Sequence, residues 1–180
     1  MMEFSRLKLT SLFPSREPDV QKEPTSGFKF GKRSRREMKG VHPTLIAVTT
    51  RALEISDVDF GVTAGLRTLE EQKRLVALGR SQTMKSKHLP QEDGWSHAID
   101  LLAYDNGKVT WEISMYAAIA DAMKQACIEQ NVSARWGAAW HQQTIGMWKG
   151  PMEELMNQYV DIRRSQGRTP FIDGPHFELT

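Results

Sequence analysis

The 180-residue sequence contains a single cysteine, Cys127, so it has no intrachain disulfide and no zinc site built on several thiolates. No apolar run approaches the ~18 residues needed to span a bilayer. The stretch from Met1 to Asp19 interrupts its short apolar segments with Arg, Lys and Pro. It therefore lacks the h-region of a signal peptide, and the expectation is synthesis in the cytoplasm without export by that route. Three catalytic signatures are missing as well: the Gly-x-Ser-x-Gly elbow, a glycine-rich phosphate loop and His-Glu-x-x-His. Their absence argues against serine hydrolases of the elbow type, P-loop enzymes and helical zinc proteases.

What is present is ordinary for a globular domain, with 39% hydrophobic and 26% charged residues. A chain of this length buries enough surface to fold without covalent staples. The net charge of +2 hides an asymmetry. Residues 1–40 hold ten Lys/Arg against five Asp/Glu, and residues 41–180 hold fourteen against seventeen. The basic excess peaks between Lys29 and Lys39. Such a run is ordinarily a solvated lead-in to a helix, and the alternative is a polyanion contact such as an anionic cell envelope. No aromatic ladder accompanies it, so no nucleic-acid partner is expected.

Residues 1–26 carry three prolines and no periodicity, and read as a loosely ordered N-terminal extension ahead of a domain at 27–180. A helix is expected from Pro43, a strand from Val58, and a capping box at Thr68–Glu71 opening a helix that Gly79 closes. Residues 80–95 form a polar loop, of a length that compact domains usually reserve for function. His97–Tyr104 reads as a strand, and Asn106-Gly107 as a hairpin turn. Helices follow near Ile113–Gln130 and Pro151–Ser165, with strands at 133–136 and 174–179. Strands and helices without strict alternation indicate an α+β fold, a single domain with a small antiparallel sheet flanked by helices.

Chemistry concentrates in a few places. Cys127 lies mid-helix among apolar residues, where a buried small residue is the default. Asp100 sits inside the apolar run Ala-Ile-Asp-Leu-Leu, where a bare carboxylate would cost several kcal/mol. His176, in Pro-His-Phe-Glu-Leu, occupies a similar place, and His88 lies in the polar loop before the Asp100 strand. Two imidazoles and a carboxylate leave a zinc ion one open position for water. The alternative is that each histidine is a satisfied core residue. Strand alternation puts Ala98, Asp100 and Leu102 on one face, and turns His97 away. It also places His176 and Glu178 on one side. Asp173, three residues before His176, can reach a metal-held water without being a ligand. His42, beside Pro43, fits the start of a helix.

Ser86-Lys87-His88, Ala98-Ile99-Asp100 and Asp173-Gly174-Pro175-His176 resemble the zinc peptidases of the D-Ala-D-Ala carboxypeptidase group. Their signature is Ser-x-His-x-x-Gly-x-Ala-x-Asp with a later Asp/Glu-x-x-His. Gly65-Leu66-Arg67-Thr68 through Gln72 is similar to that group's Gly-Tyr-Arg-Thr-x-x-Glu-Gln segment. Asp105–Trp111, Arg135-Trp136-Gly137 with Trp140, and the Pro-His-Phe-Glu-Leu ending resemble its phage endolysin branch, which cuts L-alanyl-D-glutamate bonds. The resemblance runs from about residue 28 to the end of the sequence. It departs in the wider spacing from His88 to Asp100, in Ser96 and Leu66, and in Ala138-Ala139.

The resemblance implies a hedgehog/DD-peptidase-like fold holding one Zn2+ per chain through His88, Asp100 and His176. It makes Asp173 the general base and Arg67 a substrate or oxyanion contact, the alternative for Arg67 being a salt bridge to Glu70 or Glu71. Ser86, Trp136 and Trp140 become substrate-binding candidates, with loop capping or core packing as their other roles. The implied activity is hydrolysis of the L-Ala-D-Glu bond in bacterial peptidoglycan during host lysis. The enzyme would be a monomer, held in the host cytoplasm until the membrane opens. Two alternatives share these residues: a D-Ala-D-Ala carboxypeptidase and a catalytically silent wall-binding module.

Overall fold

The computed structural model describes residues 26–180. The extension expected at 1–26 lies outside them except for Ser26, whose hydroxyl donates to the Leu53 carbonyl at 2.7 Å. The elements run α1 (Lys32–Glu37), α2 (Pro43–Ile55), β1 (Asp59–Ala64), α3 (Leu69–Ala77), β2 (Ala98–Asp105) and β3 (Lys108–Thr110). They continue as α4 (Ile113–Gln130), β4 (Ala134–Trp136), a 3-10 turn at Ile145–Met147, α5 (Met152–Ser165) and β5 (His176–Leu179). The strands form one sheet in the order β1-β2-β5-β4, and β3 pairs with the far end of β2. Every pairing is antiparallel, as expected for this α+β fold.

Local chemistry explains most of these boundaries. His42 caps α2 by accepting the Thr44 N–H, and Pro43 occupies the first turn, where its missing donor costs nothing. Leu45, Val48, Thr49, Ala52 and Leu53 form the buried stripe of α2. In α3 both halves of the capping box form: Thr68 accepts from Glu71 N–H, and Glu71 accepts from Thr68 N–H at 2.7 Å. Asn106 and Gly107 take positive φ of 48° and 75°, the conformation a tight Asn-Gly hairpin requires.

Helix α1 is a departure from the sequence reading, because the basic run folds instead of leading in. It has no apolar periodicity of its own. Ser34 is buried and accepts the Val62 N–H, and Arg35 donates to the Phe30 carbonyl, so tertiary bonds hold what propensity does not.

Sheet polarity positions the site. Ile99, Leu101 and Phe177 are fully buried and belong to the same core as Leu45, Ile119 and Met123 of α2 and α4. Asp100 and His176 stand directly opposite each other across β2 and β5, with their side chains on the other face. Cys127 is buried in α4, and burial pushes its thiol up to about 12, which leaves it inert as a nucleophile.

Candidate metal centre and cleft

His88, Asp100 and His176 meet above the β2–β5 pair. His88 Nε2 and His176 Nδ1 each lie 3.0 Å from Asp100 Oδ1 and 3.3 Å from one another. The outer nitrogens are also engaged. His88 Nδ1 is 2.6 Å from the Gly65 carbonyl, and His176 Nε2 is 3.0 Å from Glu178 Oε2. A carbonyl and a carboxylate can only accept, so both outer nitrogens carry the protons. When both rings are neutral, as metal ligands must be, the inner nitrogens turn lone pairs toward each other and toward a carboxylate oxygen.

Three Lewis bases without a proton between them repel unless a cation joins them. Ligand atoms on a tetrahedral zinc, at about 2.0–2.1 Å from the ion, lie roughly 3.3 Å apart, close to the separations here. Glu178 and the Gly65 carbonyl are the outer partners that zinc-binding histidines normally have. Without a metal the pocket still recruits positive charge. Burial alone would lower the His176 imidazolium, but hydrogen bonds to Asp100 and Glu178 outweigh it and push it up to about 9. Burial likewise opposes ionisation of Asp100, yet the facing imidazoles hold it well below the usual carboxylate range. The donor set fits zinc.

A second cluster, His42, Asp93 and His97, does not pass the same test. His42 Nδ1 accepts the Thr44 N–H, which places the His42 proton on Nε2, the nitrogen facing Asp93 at 3.7 Å. His97 Nε2 lies 2.8 Å from the same Asp93 oxygen. This is a polar clasp in which Asp93 is hydrogen-bonded to His97 and stands near His42, while the His42 backbone N–H donates to the Ser96 carbonyl at 2.9 Å and ties the loop to the start of α2.

Arg67 pairs with Asp100 Oδ2, not with Glu70 or Glu71, and thereby leaves Oδ1 to the histidines. Glu71 is held in the capping box. Asp173 lines the cleft beside His176, and burial, then the nearby Asp100 charge, push its carboxyl up. Its turn is clamped on Gly137, which donates to the His176 carbonyl at 2.8 Å and accepts from the Asp173 N–H at 3.0 Å. A Cβ on Gly137 would fall 2.5 Å from the Asp173 carbonyl oxygen and 2.9 Å from His176 Cβ.

Trp136 corrects a sequence expectation. It has no exposed surface, stacks on Phe177 and donates to the Gly174 carbonyl at 2.8 Å, so it braces the Asp173–His176 turn and does not reach the cleft. Trp140 does line it, with its ring 5.5 Å from His176 and stacked on Phe171. Ser86 lines it too, while also accepting the His88 N–H at 3.2 Å.

The cleft has a volume of about 1050 Å³. Sequence reasoning placed Glu178 on the His176 side but gave it no task, although an i, i+2 acid on a strand shares the histidine's face. The Gly65 carbonyl carries no side-chain signal at all. Gln72, the last residue of the Gly65–Gln72 segment, has no role that its residue type signals. It is wholly buried, and its amide donates to Ser81 Oγ and the Thr83 carbonyl, both at 2.7 Å, fastening one wall of the cleft to α3.

Residues 26–180 match a family model described as phage L-alanyl-D-glutamate peptidase. An L-alanyl-D-glutamate peptidase of Escherichia phage T5 is 37% identical over 118 residues, covering 63% of this chain and 82% of that protein. Among solved structures, the Serratia marcescens L-Ala D-Glu endopeptidase ChiX aligns with a TM-score of 0.59 and 33% identity. The alignment covers 91% of this chain and 94% of that one.

Proposed function

The chain belongs to the phage L-alanyl-D-glutamate peptidase family, and from that premise we propose that it is a zinc-dependent endopeptidase of bacterial peptidoglycan. Residues 27–180 form its catalytic domain, and one Zn2+ is held by His88, Asp100 and His176. The observation that carries this reading is the convergence of His88 Nε2, His176 Nδ1 and Asp100 Oδ1 within 3.0–3.3 Å of one another, with the outer nitrogens held by Gly65 and Glu178. The bond cut is the one between L-Ala and D-Glu of the peptide stem. The enzyme acts as a monomer on the cell wall. It is made in the host cytoplasm and reaches the wall once the membrane is opened. Among the described residues no helix is long and apolar enough to cross a membrane.

Zinc, when bound, supplies a Lewis acid and brings the pKa of water in its open position to about 7. Asp173, whose carboxyl is pushed up by burial and then by the nearby Asp100 charge, takes the proton of the attacking water and returns it to the departing amine. Arg67, anchored on Asp100, presents positive charge to the cleft, where negative charge grows on the scissile carbonyl oxygen. Trp140 and Ser86 line the substrate's path.

The test is mass spectrometry of Gram-negative muropeptides digested with and without a zinc chelator. Fragments split between L-Ala and D-Glu, lost with chelator and restored by zinc, are the expected result. Release of free D-Ala instead would move the enzyme to carboxypeptidase chemistry. No chelator-sensitive product from zinc-loaded protein would leave a wall-binding module. Glu178→Gln gives an independent check. Its amide oxygen still accepts from Arg135, which turns the NH2 toward His176 Nε2 and favours the wrong tautomer. Zinc affinity, read by chelator competition, falls by roughly 10–100-fold; unaltered affinity would remove Glu178 from the metal's support.

A further inference from the structure

The cleft carries more positive charge than its chemistry uses. Six cations line it, Arg67, Arg80, Lys85, Lys87, Arg135 and Arg163, against the carboxylates of Asp100, Asp173 and Glu178. Arg67 is paired with Asp100 and Arg135 with Glu178. Among the described residues the other four form no salt bridge, and Asp173 is the one lining carboxylate without a cationic partner. Arg163 stands out within this set. Its Nε is buried with no hydrogen-bond partner, and its Nη2 reaches only the Thr169 carbonyl, at 3.5 Å. A buried guanidinium N–H left without an acceptor is costly, and the planar fork of arginine matches a carboxylate better than any single carbonyl.

Its position says which carboxylate. Arg163 lies four residues after Tyr159, on the same face of α5, and both line the cleft. Thr169, against which it rests, is two residues before Phe171, whose ring stacks on Trp140, and Trp140 abuts His176. Arg163 thus shares the cleft with His88, Asp100 and His176, on the side walled by Phe171 and Trp140. A D-glutamyl residue has two carboxyl groups, and only one continues the stem, so the other is a free anion next to the scissile bond. We infer that Arg163 binds this free carboxylate, making the enzyme selective for stems whose D-Glu is unamidated. The inference rests on the peptidase reading above and adds a specificity determinant to it.

The experiment uses two zinc-loaded assays on muropeptides that differ only in amidation of the free D-Glu carboxyl. Wild-type kcat/KM for the acid is expected to exceed that for the amide by roughly ten- to a hundredfold, the range of a charge-assisted pair. In Arg163→Gln this ratio collapses toward one, with the loss for the acid falling in KM. Arg163→Lys keeps charge without the fork and gives an intermediate ratio, and thermal melting of both variants checks folding. Equal cleavage of acid and amide by wild type, or a wild-type ratio in either variant, overturns the inference. Cleavage of neither muropeptide by wild type overturns the peptidase reading and the inference together.

Discussion

Asp173→Asn is expected to lower kcat by roughly a hundred- to ten-thousandfold, the usual contribution of a positioned general base. Asparagine has nearly the same shape, and the backbone bonds that shape the turn, Asp173 N–H to Gly137 and His176 N–H to the Asp173 carbonyl, remain. What is removed is a carboxylate buried in the cleft, where burial and the Asp100 charge make it a stronger base than in water. The amide cannot take a proton from water at neutral pH. Metal content should match that of the wild type, because Asp173 is not among the three converging side chains. Steady-state rates on muropeptides, paired with metal analysis of the same preparation, separate the two effects. Near wild-type turnover would remove Asp173 from the chemistry, and zinc loss would recast it as part of the metal site.

Gly137→Ala is expected to be nearly as damaging, though the added methyl touches no reacting group. The new Cβ meets a backbone oxygen, the Asp173 carbonyl, at 2.5 Å, and His176 Cβ at 2.9 Å. Neither is the flexible end of a side chain, so β4 or the Asp173–His176 turn must shift. Misplacement of reacting groups by about 1 Å can cost a hundredfold in rate. Overpacking of this kind typically costs about 1–3 kcal/mol, and Tm falls by several degrees. Activity should drop further than the modest loss of stability accounts for. A variant with wild-type kcat and an unchanged melting curve would show that the turn yields freely.

The outcome for Gly137 also shows where the sequence stops being informative. Features with local causes are readable: the Thr68–Glu71 capping box, the Asn106-Gly107 turn, and the alternation that turns His97 away from Asp100 and puts Glu178 on the side of His176. Features decided between distant segments are not. Helix α1 carries no periodicity and depends on Ser34 reaching Val62. Trp136 has the residue type for either core or cleft, and only the position of the Gly174 carbonyl settles which. The Arg67–Asp100 pair joins residues 33 apart, in competition with two nearer glutamates. The two outer partners of the histidines differ in the same way. Glu178 lies two positions from His176 on one strand, whereas Gly65 is 23 residues from His88 and contributes only its backbone.

The β2–β5 pairing has a further consequence, for the order in which the molecule assembles. β2 and β3 are joined by a two-residue turn and can close early, since little chain entropy is lost. Asp100 and His176 are 76 residues apart, and α4, β4 and α5 intervene between them. Their contact belongs to the non-local class that forms late and limits folding rate. A chain that has closed β1, β2 and β3 but not docked β5 has His88 and Asp100 in place and no His176 beside them. Such an intermediate would be compact, helical by circular dichroism and catalytically silent. Recovery of activity during refolding therefore times the last strand to join the sheet, and should lag behind the recovery of helix signal.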